Sequence, residues 1–261
     1  MRKVILVFSA LFLLAGVMSA QTVDEIIAKN IEAKGGLAKI RAVQSMRMTG
    51  HAEFGAMQAG FTLTQKRANK MRNEISIQGM TMVQAFDGQN GWQVVPFTGK
   101  KDAEAMDADD LKDAAENADM DGPLVDYKAK GHKVELVGKE KTEGTDTYHL
   151  RITLKDGNVR DLFLDADSFL EIKAIGRVTR RGTETVVESA LGDYKEVQGL
   201  MIPFSIQQHQ QGGQGPEQKI IVEKVEFNVP VDDAIFKMPP AAPPAPEPAK
   251  PEGATKPPPN L

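Results

Sequence analysis

The stretch LGDYKEVQGLMIPFSIQQ, residues 191–208, is the clearest indication of the fold, because it contains a tight turn followed by a strand with one apolar face. Side chains alternate between the two faces of an extended chain. Leu200, Ile202, Phe204 and Ile206 therefore share one face, and the residues between them occupy the other. This apolar face must be covered by the chain's own core, by another chain or by a bound ligand.

The same two-residue period recurs along most of the chain between residues 46 and 227. The segments that show it are joined by short turns such as 87–91 and 155–158, without the strand–helix–strand alternation that a parallel sheet requires. We count about eleven strands. The pattern predicts an α+β, mainly β, fold with a single twisted antiparallel sheet that curls.

Few helices are predicted to cover this sheet. Thr22 and Glu25 form a capping box at the start of one helix, which ends at a Gly-Gly pair and is followed by a short second helix. Segment 102–131 carries two more, separated by Asp-Gly-Pro at 121–123. Eleven strands present more apolar surface than these helices can cover. The sheet must therefore close into a barrel or sandwich, or stay open around an apolar cavity.

Methionines on consecutive strands favour the open arrangement. Met is flexible and polarisable, so it suits a surface that adapts to apolar ligands of varied shape. A sandwich with these residues in an ordinary core is the alternative, since an apolar stripe is usually core. The methionines are Met46, Met48, Met57, Met71, Met80 and Met82.

The two ends of the chain differ in composition from the part between them. Residues 1–20 begin with two basic side chains, continue as an apolar run and finish with small residues, which is the pattern of a secretory signal peptide and too short for a membrane span. Residues 239–261 hold ten of the fifteen prolines, and we expect a disordered tail there. Residues 21–238 are then predicted to form one domain.

Charge and cysteine content exclude several classes of partner and site. Without residues 1–20 the chain has thirty basic and thirty-six acidic side chains, a net charge of −6, which argues against nucleic acid as a partner. The absence of cysteine excludes disulfides, thiolate metal sites and a lipid-modified N-terminal Cys. We therefore expect an exported protein without a lipid anchor.

No constellation of residues points to catalysis, a metal or a cofactor. The sequence lacks the motifs of serine hydrolases, zinc proteases and nucleotide-binding loops. The four histidines are far apart in sequence, and we expect them at polar, solvent-facing positions. Asp165 and Asp167 are best explained as residues that shape a hairpin turn. The sequence thus predicts a protein that is not an enzyme and holds no cofactor or metal.

Two segments, in order along the chain, resemble a known family. Residues 65–72 read QKRANKMR, and residues 85–92 read AFDGQNGW. This order resembles the LolA-like periplasmic carriers of outer-membrane lipoproteins, which have a Lys-Arg-Pro-Asn segment and then an Asp-Gly turn into an aromatic strand. LFLDADSFLEIKAI (162–175) and DYKEVQGLMIP (193–203) are similar to the broader lipoprotein-sorting branch. The resemblance covers nearly all of residues 21–238, although Ala68 stands where the family has proline.

The resemblance implies an incomplete β-barrel with short lid helices over an apolar cavity that accepts the acyl chains of lipoproteins. By its position in the motif, Arg67 would hydrogen-bond the carbonyl groups of a lid helix and control its opening; an ion pair with a surface carboxylate is the alternative. We expect apolar side chains on the inner faces of the strands to line the cavity: Met46, Met48, Phe61, Leu63, Ile75, Ile77, Met80, Met82, Trp92, Leu150, Ile152, Leu164, Ile202 and Phe204.

These inferences predict a monomeric periplasmic carrier that binds lipoprotein acyl chains, or other lipids, for transport toward the outer membrane. An inner-membrane releasing complex and an outer-membrane acceptor are the expected partners, and the chain itself is not expected to span a membrane. A sensor of the same fold that detects mislocalised lipoproteins is the alternative function. An enzyme that uses the cavity for a small hydrophobic substrate is a third hypothesis, which the missing catalytic motifs disfavour.

Overall fold

A computed structural model describes residues 21–99, 102–180, 183–212 and 217–240. The predicted signal peptide, residues 1–20, lies outside these ranges, as does the predicted tail beyond residue 240.

The described residues form a single thirteen-stranded antiparallel sheet in the order β6-β5-β4-β3-β2-β1-β13-β12-β11-β10-β9-β8-β7. Every neighbouring pair of strands except β1 and β13 is consecutive in sequence, as hairpin turns predict. The count exceeds the predicted eleven in part because β6 has only two residues, too few for a detectable period. The strands are β1 (Ser45–Phe54), β2 (Met57–Lys66), β3 (Lys70–Ile77), β4 (Met80–Phe86), β5 (Gly91–Val94), β6 (Glu104–Ala105), β7 (Lys133–Thr142), β8 (Thr145–Thr153), β9 (Val159–Asp165), β10 (Glu171–Arg180), β11 (Thr183–Val197), β12 (Leu200–Gln210) and β13 (Gln218–Phe227).

The sheet stays open, as predicted, because its two edge strands, β6 and β7, do not pair with each other. The chain between these edges must therefore pass from one edge of the curled sheet to the other. This crossover, residues 106–132, contributes Met106, Leu111 and Met120 to clusters on the inner face, which we define as the face that the helices contact. The crossover therefore covers part of the inner face, and we call it, together with helix α2 (Leu37–Ala42), the lid.

Three α-helices lie among the described residues: α1 (Val23–Ala33), α2 (Leu37–Ala42) and α3 (Ala108–Asn117). The predicted capping box is confirmed, since Thr22 and Glu25 each accept a backbone hydrogen bond from the other. Asp107 caps α3 by accepting from the backbone N–H of Asp110. The helix predicted after Pro123 is wrong: residues 120–131 form turns. Asp126 there adopts a φ of 53°, a left-handed conformation that interrupts a right-handed helix.

Each helix packs on a different part of the inner face. Ile26 and Ile27 of α1 lie over β8 and β9, Ile40 of α2 lies over β12 and β13, and Ala114 of α3 lies over β3 and β4. The helix contacts gather toward one end of the strands, where β12 begins and β13 ends, and leave much of the inner face at the other end without a helix.

The loop after α1 packs closely against the turn in the stretch 191–208. A Cβ atom on Gly35 would lie 2.1 Å from the carbonyl oxygen of Gly199, so only glycine fits between them. The backbone N–H of Met201 also donates to the carbonyl oxygen of Lys34 at 3.1 Å. This contact fixes α1 and α2 over the beginning of β12.

The outer face carries its own cover near one edge. A 3₁₀ helix, Asp233–Phe236, packs against β3 and β4, and Phe236 is fully buried. Lys66 and Lys70 both bind the carboxylate of Asp233 and fasten this segment to the β2–β3 turn. The chain after β13 therefore acts as a strap that covers apolar side chains of the outer face.

A buried ion cluster stabilises the outer face at the other side of the sheet. Asp161 is 1 % exposed and accepts hydrogen bonds from Arg151, Arg177 and His149. His149 also contacts Glu140 and is largely buried, so the predicted solvent-facing position is wrong for this histidine. Every group of this cluster has a partner within it, which is typical of a structural network.

Candidate functional site: an apolar cavity beneath the crossover

A cavity of about 390 Å³ lies between the crossover, α2 and the inner face of β1 and of β9 to β13. This volume falls within the range of small-molecule sites. Most of its lining is apolar. The charged lining residues lie at the end of α1, in the crossover and near the ends of β9 and β10. The lining residues are Lys34, Ile40, Val43, Met46, Asp119, Met120, Asp121, Gly122, Pro123, Arg160, Leu162, Glu171, Ala174, Leu191, Tyr194, Leu200, Met201, Ile202, Pro203 and Phe227.

The apolar face of β12 is covered partly by the chain and partly by this cavity. Leu200 and Phe204 are buried in one cluster with Val43, which directly follows α2, and Ile40 of α2 packs against the same cluster. Ile202, between them on the same face, lines the cavity and remains partly exposed. Strand β12 of the stretch 191–208 therefore contributes both to the core and to the candidate site.

Arg67 joins the two parts of the lid, the end of α2 and the crossover. Its Nε donates to the carbonyl oxygen of Val43 at 2.7 Å, and its Nη2 donates to that of Ile40 at 3.0 Å. The guanidinium also binds both carboxylate oxygens of Asp121 on the crossover, at 2.8 and 2.6 Å. This bidentate pair is the main reason why the pKa of Asp121 lies below its usual value. Arg67 thus makes the contact with lid-helix carbonyl groups that the resemblance implies, and it also forms the alternative ion pair, with Asp121.

The local chain holds Arg67 in this place from both sides. It follows directly after β2, and its backbone N–H donates to the carbonyl oxygen of Gln44 at 2.9 Å. Its side chain is 27 % exposed and that of Asp121 is 16 % exposed, so the pair is shielded from most of the solvent. Removal of one partner from such a pair costs more than removal from an exposed pair, because the charge left behind is shielded from water.

Other charged side chains around the cavity are paired as well. Lys34 binds Glu171, whose side chain is 10 % exposed. Arg160 of β9 contacts Glu116 of α3, and burial raises the pKa of Glu116 while the nearby guanidinium partly offsets that effect. The hydroxyl of Tyr194 donates to the carbonyl oxygen of Glu171 at 2.7 Å.

Some predicted cavity residues lie at the cavity, and others are core. Met46 and Ile202 line it directly, whereas Met48, Phe61 and Phe204 belong to the adjoining cluster. Leu63 packs beneath α3. The three predicted residues of β8 and β9 are 0 % exposed under α1, so the chain itself fills their part of the inner face: Leu150, Ile152 and Leu164.

Four further predicted residues lie on the inner face away from the helices. Ile75 pairs with Met82, and Ile77 pairs with Met80, near the end of the strands that the helices leave uncovered. Met80 is 40 % exposed, and the other three are partly exposed. The structure places these side chains beyond the cavity, on an open extension of the same apolar face.

Trp92 is on the opposite face of the sheet and does not line the cavity. It pairs with Ala85, which alternates with the inner-facing Phe86. Its indole N–H donates to the carbonyl oxygen of Phe236 at 2.8 Å, in the strap on the outer face. The prediction was wrong because the register after the turn at 87–90 decides which face a strand residue takes.

Several lining residues were absent from the sequence-based prediction. Lys34, Arg160 and Glu171 are charged, whereas an acyl site is predicted from apolar side chains. Met120 lies in the crossover, whose path depends on the open edges of the sheet. Tyr194 lies within the stretch 191–208, so an aromatic residue beside a strand turn was a signal available in the sequence.

The open antiparallel sheet, its lid and the cavity between them form a half-barrel, and this fold is similar to that of solved proteins of the LolA superfamily. Among solved structures, a LolA superfamily protein of Nitrosomonas europaea is similar at 14 % identity and a TM-score of 0.58, over 84 % of this chain and 98 % of that one. A putative outer-membrane lipoprotein-sorting protein domain of Vibrio parahaemolyticus is similar at 11 % identity and a TM-score of 0.54, over 81 % and 94 % of the two chains.

A DUF1329 family protein of Desulfovibrio piger shares the fold at 13 % identity and a TM-score of 0.57, over 84 % of this chain and 98 % of that one. At these identities the likeness is one of fold, and the predicted resemblance is confirmed at that level. No protein-family model matches the sequence, and a search of curated proteins gives no significant match.

The described part of the chain contains neither a membrane-spanning helix nor a cluster of metal-binding side chains. No helix there has both the length and the apolar character needed to cross a membrane. Within the same ranges, no group of three or more His, Asp or Glu side chains is placed to hold a metal ion.

Proposed function

We propose that this protein is a lipid-binding carrier that holds the acyl chains of lipoproteins, or of related lipids, in the cavity beneath the crossover. The observation that carries the proposal is an apolar cavity of about 390 Å³ between an open sheet and a lid made of the chain's own helix and crossover. The fold shared with a LolA superfamily protein and with a putative lipoprotein-sorting domain supports it. Binding proceeds without covalent chemistry.

Affinity in such a site comes from apolar burial, worth about 0.8 kcal/mol for each methylene removed from water. Met46 and Met120 suit this role, since methionine side chains adapt to chains of different shape. The partly exposed apolar residues beyond the cavity, such as Ile77 and Met80, extend the surface along which a longer chain can lie. An acyl chain that leaves the closed cavity loses the free energy of this apolar burial. We therefore propose that release requires the lid to move.

Arg67 is the residue that we propose to control the lid. It binds the end of α2 and the crossover at once, so rupture of its contacts frees both covers of the cavity together. The resemblance to lipoprotein carriers supports this role by position. The pairing with Asp121 adds an ionic contact that a client or a partner protein can compete for.

The proposed carrier consists of residues 21–238 as one domain, which residues 1–20 export to the periplasm. We propose that it acts as a monomer, receives its client from an inner-membrane releasing complex and delivers it to an outer-membrane acceptor. The fold shared with the lipoprotein-sorting domain supports this route.

The direct test is binding of a fluorescent acyl probe, combined with mass spectrometry of lipids that co-purify with the protein. Ile202→Asp places a charge in the cavity and should weaken binding by about tenfold or more. The matched control is Ile221→Asp, since Ile221 pairs with Ser205 and faces the other side of the same sheet. Equal binding by both variants and the wild type would refute the proposed cavity.

A further inference from the structure

The charged side chains that line the cavity already have partners of opposite charge. These residues are five: Lys34, Asp119, Asp121, Arg160 and Glu171. Lys34 and Glu171 bind each other across the wall. Asp121 binds Arg67, Asp119 binds Lys130 and Arg160 contacts Glu116, so each of these three is matched by a residue next to the cavity.

We infer that the cavity selects acyl chains whose polar end is uncharged, such as esters or amides, and rejects free fatty-acid carboxylates. This inference rests on the proposed function and specifies its ligand class. An ionised carboxylate inside the cavity needs a cation, and the cations that line it, Lys34 and Arg160, are engaged with Glu171 and Glu116. An ester or amide brings no net charge and leaves these pairs intact.

Partial burial of the pairs makes their exchange for a ligand unfavourable. Glu171 is 10 % exposed and Glu116 is 19 % exposed, so neither carboxylate can return fully to water when it loses its partner. The cost of leaving a charge unpaired in such a place exceeds the gain from one new ion pair with the ligand. The polar hydroxyl in the wall, that of Tyr194, is also engaged, because it donates to the carbonyl oxygen of Glu171.

The test compares two amphiphiles with the same chain, a monoacylglycerol and the corresponding fatty acid, as competitors of a neutral fluorescent acyl probe. The measurement is made at pH ~8, where a carboxyl group is ionised, and below the concentration at which either competitor aggregates. We expect the monoacylglycerol to bind the wild-type protein at least about tenfold more tightly.

One variant should abolish this preference. Glu171→Gln keeps the size of the side chain and leaves Lys34 without its carboxylate, so the cavity gains a cation that a fatty acid can use. The ratio of the two affinities should fall from about ten to about one in this variant. The matched control is Lys34→Met combined with Glu171→Gln, which removes both charges and should restore the wild-type ratio. Because both affinities are measured on the same variant, a general effect of a substitution on protein stability cancels in their ratio.

Each outcome decides between the possibilities. A wild-type protein that binds the fatty acid as tightly as the monoacylglycerol overturns the inference while leaving the proposed function standing. An unchanged ratio in Glu171→Gln overturns the assigned role of the Lys34–Glu171 pair. If the neutral acyl probe itself does not bind the wild-type protein, the proposed function fails, and this inference fails with it.

Discussion

Replacement of Arg67 by methionine should loosen the lid without unfolding the sheet. The substitution removes the hydrogen bonds to the carbonyl oxygens of Ile40 and Val43 and leaves Asp121 without its guanidinium. A hydrogen bond to a charged group contributes about 1.5–3 kcal/mol, and the shielded position of this pair keeps the loss toward the upper part of that range. We therefore expect the closed lid to lose about 2–3 kcal/mol relative to open forms.

Hydrogen exchange measures this loss locally. A difference of about 2–3 kcal/mol corresponds to roughly 30- to 150-fold faster exchange of amides that are protected only in the closed lid. The faster exchange should be confined to α2 and to the crossover near Asp121, whereas amides in β8 and β9 beneath α1 should keep their wild-type rates. The same variant should release a fluorescent acyl probe faster, because the cover of the cavity opens more often.

The matched control is Arg41→Met. Arg41 also joins α2 to the crossover, through Asp126, but both side chains of that pair are about half exposed. An exposed ion pair contributes only about 0–1 kcal/mol, so this variant should change exchange by a few-fold at most. Equal effects of the two substitutions, or wild-type exchange in Arg67→Met, would contradict the assignment of Arg67 as the residue that holds the lid.

Three further outcomes follow from the packing and the charges. Leu150→Ala should lower the free energy of unfolding by about 2–5 kcal/mol in a urea titration, because Leu150 is fully buried under α1, and the folded variant should still bind the acyl probe since this part of the face is core. Burial alone would raise the pKa of Asp161, but hydrogen bonds from Arg151, His149 and Arg177 outweigh it and lower the pKa to about 2. The stability that this cluster contributes should therefore be complete above pH ~4, the ordinary pKa of an aspartate, and should be lost as the pH falls toward about 2. Asp161→Asn should remove this pH dependence of the free energy of unfolding. An unaltered profile in the variant would contradict the stabilising role of the ionised Asp161. Trp92, the one tryptophan of the sequence, lies on the outer face, so its fluorescence should not respond to an acyl ligand, and a clear shift on binding would place the ligand on the wrong side of the sheet for our proposal.

Much of the fold was predictable because it depends on local patterns. The two-residue period assigns strand residues to faces, hairpin turns make neighbours in sequence neighbours in the sheet, and caps such as Thr22 with Glu25 mark helix starts. The helix expected after Pro123 failed for a local reason as well, since Asp126 adopts a left-handed conformation that composition does not reveal.

The candidate site was less predictable, because it depends on which parts of the inner face the helices cover. Leu150 and Ile202 both lie on the apolar face of a strand with a two-residue period. Leu150 is nevertheless fully buried under α1, whereas Ile202 lines a cavity. The position of Arg67 was predicted from the resemblance, and its partner Asp121 was not. These two residues are 54 positions apart in sequence, and only the path of the crossover brings them together.

Local sequence patterns are enough to specify one large antiparallel sheet whose apolar face exceeds what its helices can cover, because side-chain alternation and turn chemistry act over a few neighbouring residues. The position of the uncovered part and the charges around it depend on how remote segments pack together. The open edges of the sheet send the crossover over the inner face, and that path pairs Asp121 with Arg67 and Glu116 with Arg160. Such pairings depend on distances between remote segments, and no local pattern records those distances.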